Sequence, residues 1–296
     1  MASAVSSAPA AHQPSGWDLV AACGLASDVS DPYVRPSAAT KDKRPKISDG
    51  QRATSDGEWP WQASMWFTMI EPHAYRCAAT IVDRQWLLTA AHCAYNYLYE
   101  PEARYFGFKA GSIEAAAKSD SAGGDVQTAA AIEMHAHPGY IHSLHLHDVV
   151  FPAFNLTRNV RPICLPRNDD LLKLNSSAEA FVTGWGMSQS GNWNENHLME
   201  AKVQLVDTEI CVKEFAGYAF DEQTMLCAVG QHGQQPCNGD SGGPLMQHDD
   251  RWRWFQHGII SWAKPGSCGT MAPAVYQRVS RVCNFIESTV GREICQ

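Results

Sequence analysis

An all-β sandwich or barrel is the fold class this sequence predicts, on three observations. Short apolar runs recur from Trp59 onward: WQASMWF, CAATIV, WLLTA, AFVTGWG, AKVQLV, GIISWA and AVYQRV. Several carry β-branched or aromatic residues, and Gly, Pro, Asn or Asp clusters punctuate the chain between many of them. Helical spacing shows in one place only, the end, where Val282, Phe285, Ile286 and Val290 share a face and Gly291 follows as a stop. Before Trp59 the texture differs. Residues 1–46 are rich in Ala, Ser, Pro and charge without periodicity, so a poorly ordered segment is expected there.

The bulk numbers narrow the class of function. A length of 296 residues suggests about two domains, and 45% hydrophobic residues with ten Trp and ten Phe supply an ordinary globular core. The net charge is −8 with no run of five like charges, which argues against nucleic acid and acidic membrane surfaces as partners. Ten cysteines contain no CxxC pair, so structural disulfides in an oxidising compartment are expected, with an extracellular or secreted location and no metal or other cofactor. The sequons at Asn155 and Asn175 agree with that location. No apolar run in residues 1–22 is long enough for a secretory leader, so a trimmed N-terminus is expected. No stretch approaches the ~18 apolar residues of a membrane span.

Three motifs carry chemistry. In Cys237-Asn-Gly-Asp-Ser-Gly-Gly-Pro-Leu245 a serine lies among glycines. A serine hydroxyl is a weak nucleophile until a base takes its proton, and backbone N–H groups must face the oxyanion that develops. Glycines allow the tight turn that brings those groups close. In Leu87-Leu-Thr-Ala-Ala-His92-Cys93 a histidine ends an apolar run beside a cysteine that can pin it. A lone histidine is more often a packed or surface residue. In His147-Asp148-Val-Val-Phe151 an aspartate opens an apolar run, which alone reads as a turn residue. The chain order His92, Asp148, Ser241 changes those odds, because a His–Asp–Ser protease triad is strung along its chain in that order.

On these motifs the chain resembles the chymotrypsin/trypsin-like serine proteases over residues 47–296 plus Cys23. Gly57-Glu-Trp-Pro-Trp-Gln62, Arg161-Pro-Ile-Cys-Leu-Pro166, Thr183-Gly-Trp-Gly186, Ile260-Ser-Trp262 and Val275-Tyr276 extend the likeness. The resemblance implies two six-stranded antiparallel β-barrels with the active site between them and a C-terminal helix. It divides the chain into a propeptide (1–46), an N-terminal barrel (47–162) and a C-terminal barrel with helix (163–296). Ser241 becomes the nucleophile, His92 the base and Asp148 its orienting carboxylate. The N–H groups of Gly239 and Ser241 form the oxyanion hole, and Ser261 steadies Asp148. The strand Ser261-Trp262-Ala263 pairs with the substrate backbone. Cleavage at Lys46-Ile47 frees an ammonium that pairs with Asp240.

The same resemblance pairs Cys77 with Cys93, Cys211 with Cys227, Cys237 with Cys268, and Cys23 with Cys164. A further family bridge is missing, with Ala180 and Gln247 at its two positions. Cys283 and Cys295 stay open. One unbroken helix sets them ~18 Å apart, so either the chain reverses at Gly291 or Cys295 bonds another molecule.

The primary pocket departs from the family pattern. Its base falls on Gln235, or on Gln234 if the register slips, where Arg- and Lys-directed enzymes carry aspartate; no Asp or Glu lies between Ala228 and Gly239. Ala263 and Ala274 stand at two wall positions that are usually glycine. Uncharged side chains of small to medium size are expected there. Partners are then a protein or peptide substrate, an activating protease and a protein inhibitor. Five histidines between Met134 and His147, His145 and His147 among them, read as solvated surface residues ahead of a zinc site. The competing reading is a catalytically weak or inactive homologue acting as a binding protein, for which Pro152 in the strand after Asp148 and Ala78 beside Cys77 argue. An α/β esterase lacks support, since strands and helices do not alternate.

Overall fold

A computed structural model describes residues 23–26, 50–68, 75–94, 105–115, 126–139, 148–150, 154–174, 179–187, 197–230 and 233–296. The strands are short and all named pairings are antiparallel. The first sheet holds β2 (Gln62–Phe67), β3 (Tyr75–Asp83), β4 (Trp86–Leu88), β5 (Phe106–Ala110), β6 (Gln127–Ala130), β7 (Met134–Ala136) and β8 (Asp148–Val150). Its spatial order is β6-β5-β2-β3-β4-β8-β7. The two outermost strands are joined by three residues, a span of at most ~14 Å, so the sheet must roll until its ends meet.

The second sheet closes on itself. It runs β10 (Met199–Leu205), β11 (Met225–Gly230), β14 (Ala274–Arg278), β13 (Trp254–Ala263), β12 (Pro244–His248), β9 (Ala180–Gly184) and back to β10. The two-residue β1 (Gln51–Arg52) joins it from the chain's beginning, with Gln51 opposite Glu200. The fold is thus the all-β double barrel that the sequence predicts, and its seven apolar runs coincide with β2, β3, β4, β9, β10, β13 and β14.

An aromatic cluster joins the barrels. Trp59 and Trp61, from the Glu-Trp-Pro-Trp run, meet Phe181 of β9 and Trp254 of β13, with ring centroids of Trp59 and Trp254 5.0 Å apart and those of Phe181 and Trp254 5.4 Å apart. Edge-on aromatic pairs of this kind add about 0.5–1.5 kcal/mol each beyond area burial. Thr183 Oγ1 donates to Gln62 Oε1 across the same junction at 2.7 Å.

Among the described residues, two short helices correct the expectation that only the chain's end is helical. They are α1 (Ala91–Ala94) and α2 (Thr208–Glu214). One turn cannot display periodicity, and α2 exposes Ile210 and Val212 while burying Cys211, so its apolar residues obscure its face. At the end, a 3-10 turn (Val279–Arg281) leads into α3 (Cys283–Val290). Val282 and Ile286 are buried in the core, and Phe285 and Val290 pack against it.

All five disulfides form. Cys77–Cys93, Cys211–Cys227, Cys237–Cys268 and Cys23–Cys164 pair as the resemblance implies. The open pair resolves as Cys283–Cys295, whose Cα atoms lie 6.4 Å apart because Gly291 reverses the chain at φ +78°. Where the missing bridge would sit, Gln247 is buried and clamps Lys173 instead. Its Oε1 accepts the Lys173 N–H at 2.9 Å and its Nε2 donates to the Lys173 carbonyl at 3.0 Å. The described piece of the N-terminal segment is stitched down beside its disulfide, with Gly24 donating to Pro162 O and accepting from Trp254 N–H.

Candidate active site

Ser241 projects from a turn shaped by hydrogen bonds of its own residues. The N–H of Asp240 donates to Cys237 O, and that of Gly243 to Asp240 O, both at 3.0 Å. Gly239 and Gly242 flank the serine at φ +99° and +84°, a region that side chains other than hydrogen seldom enter. The turn is then tied to both barrels. Gly242 N–H donates to Ile260 O of β13, while Ser241 O accepts the Ala78 N–H of β3 at 2.8 Å. A Cβ on Gly242 would collide with the Thr89 hydroxyl and Ala78 carbonyl. Ser241 remains half-buried.

His92 arrives on the same side. It sits in α1, half-buried, with its neighbour Cys93 bonded to Cys77 of β3. Cys93 Sγ lies 3.6 Å from Ser241 O, so one disulfide ties the histidine turn to the strand that holds the serine backbone. Asp148 opens β8, paired with Ala136 of β7, and two residues later Val150 pairs with Leu87 of β4. That strand leads through Thr89 and Ala90 into α1, so the helical turn bearing His92 follows directly from the neighbour of the strand bearing Asp148. The side chain of Asp148 lies outside the described residues, as do Lys46, Ile47, Pro152, Asn175, His145 and His147.

Asp240 is fully buried behind the serine. Its two carboxylate oxygens accept the N–H groups of Gly186 at 2.7 Å and Cys237 at 2.9 Å. Any side chain at Gly184 or Gly186 would strike this carboxylate, which explains the glycines of Thr183-Gly-Trp-Gly186. Burial pushes the Asp240 carboxyl up to about 7, against the downward pull of those two N–H bonds. Among the described residues no basic side chain forms an ion pair with it.

The strands beyond the serine pair two of the expected pocket residues. Ala263 of β13 stands opposite Ala274 of β14, so both methyls share one face. A bulge between Ile260 and Trp262 sets Ser261 off the ladder; Ser261 and Ala274 are buried, while Ala263 is half-buried. Gln235, rather than its half-buried neighbour Gln234, is enclosed, and its Nε2 donates to Ser267 O. Trp262 packs edge-on to Phe215 at 5.1 Å and stacks with Tyr218 at 6.1 Å. Sequence reasoning misses Ser267 and Tyr218. Each reaches the region from a separate loop, and neither lies in a motif that marks it.

Of the histidine-rich stretch, His135 Nε2 lies 2.8 Å from Glu133, and His137 Nδ1 accepts the Gly139 N–H while its ring meets Phe285. Both are engaged locally. Ala78 is fully buried, and its N–H donates to Ser241 O.

Comparison with known proteins agrees with this architecture. The chain is 32% identical over 252 residues to mouse transmembrane protease serine 11C, covering 83% of this chain and 54% of that protein. It is 29% identical over 287 residues to rat transmembrane protease serine 11G, covering 89% and 64%. The chain therefore spans about half to two thirds of the length of these relatives. A solved structure of HL collagenase superposes with a TM-score of 0.66 at 24% identity, over 83% of this chain and 99% of that one, a likeness of fold. The family model described as Trypsin matches residues 48–286, well over half of the sequence, and this chain belongs to that family.

Proposed function

We propose that this chain is a serine endopeptidase that acts through an acyl-enzyme on Ser241. The observation that carries the reading is the Ser241 turn, set by two positive-φ glycines and tied to β3 beside the disulfide that bears His92. Ser241 Oγ adds to the scissile carbonyl carbon and gives its proton to His92. The tetrahedral adduct collapses, the C–N bond breaks, and the amine leaves with that proton. Water then adds to the ester under the same base and releases the acid. Asp148 orients the imidazole and stabilises its charged form. The N–H groups of Gly239 and Ser241 receive the oxyanion, each such donor contributing about 3–4 kcal/mol in related sites. Labelling with a fluorophosphonate probe tests this: Ser241→Ala should abolish it, and an unlabelled activated chain would exclude the reading.

The finer reading is a zymogen cleaved between Lys46 and Ile47, with residues 1–46 held afterwards by Cys23–Cys164 and the Gly24 hydrogen bonds. Residues 47–162 and 163–296 then serve as the two barrel units. The buried carboxyl of Asp240 supports the activation step, since an ammonium from Ile47 would supply the cation it lacks among the described residues. Gln235 at the pocket base, with Ala263 facing Ala274, supports a preference for uncharged side chains over Arg and Lys. Five disulfides support an extracellular location. Asn155 is exposed, its backbone clamped by Gln127 at 2.7 Å, which suits a glycan acceptor. An activating protease and a protein inhibitor are the partners this reading implies.

A further inference from the structure

Gln235 is 1% exposed, and the direction of its amide is fixed. Among the described residues its side chain has one hydrogen-bond partner, the Ser267 carbonyl, which can only accept, so the NH2 end is engaged there and Oε1 is left over. That Oε1 is buried and has no partner among the described residues. Ser267 is buried beside it, and its Oγ has none either. The Tyr276 hydroxyl, fully buried, is a third group unpaired among the described residues. Tyr276 lies two residues along β14 from Ala274, hence on the same face, and Ala274 stands opposite Ala263. The base and wall expected for the primary pocket therefore combine two alanine methyls with a pure acceptor and two hydroxyls that can donate or accept.

Resting on the endopeptidase reading above, we infer that this pocket is built for a neutral carboxamide, so that the chain cleaves after glutamine or asparagine. A carboxamide offers N–H donors to Gln235 Oε1 and a carbonyl to the hydroxyls of Ser267 and Tyr276, pairing every buried group. A hydroxyl side chain offers one donor only. An apolar side chain leaves all three unpaired, the situation that polar sites reject most strongly. A carboxylate sets its lone pairs against Oε1. Lys or Arg brings a charge to a base that carries an amide in place of a carboxylate, and the reading above gives the neighbouring Asp240 to the Ile47 ammonium. Cys237–Cys268 ties the segment bearing Gln235 to the one bearing Ser267 and keeps the groups in place.

The test uses the full chain cut after Lys46 and matched peptides that differ only before the scissile bond, carrying Gln, Asn, Met, Leu, Glu, Lys or Arg. The better of Gln and Asn should exceed Met and Leu in kcat/KM by roughly 100-fold or more, and Lys and Arg by at least as much. Gln235→Met should bring Gln and Met peptides within about tenfold of one another, and Gln235→Asp should move the preference to Lys and Arg. Fluorophosphonate labelling is read on the same samples. A labelled wild-type chain that cuts Gln and Met peptides equally, or Arg peptides best, overturns the carboxamide pocket and leaves the endopeptidase reading standing. A chain that does not label overturns both. The wild-type peptide series decides the matter even if a variant fails to fold.

Discussion

Glu200 holds a carboxylate on β10 with 7% of its surface exposed. The Trp59 indole N–H donates to it at 2.7 Å, but burial first and the nearby charge of Glu58 second push its carboxyl up to about 7. A folded value above the unfolded 4.5 means that stability is full at low pH and is lost as pH rises through about 7. Glu200→Gln keeps an acceptor for Trp59 and removes the charge. Its gain over wild type should grow from pH 5 to pH 8, reaching ~3 kcal/mol, as read from urea midpoints; a constant difference across that range would show that the charge is not the cause. Gly242 makes a different demand. Its φ of +84° alone makes Gly242→Ala cost about 1–3 kcal/mol, and the new methyl would also strike the carbonyl of Ala78, the residue whose N–H holds Ser241 O. Gly217 has a similar φ of +86° with open space around it. Gly217→Ala should therefore show the backbone strain alone and retain labelling of Ser241, while Gly242→Ala should lower the melting temperature further and lose the label.

Among the elements, α3 depends on the residues beyond its end. After Gly291 the chain doubles back, the N–H groups of Ile294 and Cys295 donate to Glu287 Oε1, and Cys295 bonds Cys283. Closing a loop of 12 residues stabilises by about 3 kcal/mol in the chain-entropy account. Cys283→Ala with Cys295→Ala should lower the urea-derived stability by that order while Ser241 still labels, and neither form should show reductant-sensitive dimers. This terminus is half legible from sequence: helical spacing marks α3, but only the reversal at Gly291 decides between the two cysteine pairings. Elsewhere legibility tracks the burial pattern. Runs such as GIISWA read as strands because β13 is buried almost throughout. β5 is harder to read because Lys109 interrupts FGFKA, and it is buried all the same, its Nζ turned onto the carbonyls of Glu114 and Ala115. The Ser241 turn is readable because one contiguous motif encodes it. The pocket is readable only in part, since Ala263 meets Ala274 through sheet register and Ser267 meets Gln235 across 32 residues.

Across the whole molecule, elements from one half are built into the other. β1 extends the second barrel, α3 packs into the core that includes the first, and the cluster of Trp59, Trp61, Phe181 and Trp254 joins them. The serine turn spans this junction, so a change in charge beneath it acts on the molecule as a unit. Asp240 is the group placed to do so. In the uncut chain its folded value of about 7 lies above its unfolded 3.8, so its stabilising effect is complete at low pH and is lost as pH rises through about 7, by ~4 kcal/mol in total. On the proposed activation the Ile47 ammonium would pair with it, favour the carboxylate form and reverse the sign: stability would then be present at neutral pH and lost on acidification. Asp240→Asn forfeits one of the two backbone hydrogen bonds in either form, about 1 kcal/mol, so the contrast between forms is the readout. At pH 8 the substitution should stabilise the uncut chain and destabilise the chain cut after Lys46, measured as urea midpoints of each. The same sign in both forms would mean that Asp240 does not receive the new terminus, and that cleavage at Lys46 orders the oxyanion turn by another route or not at all.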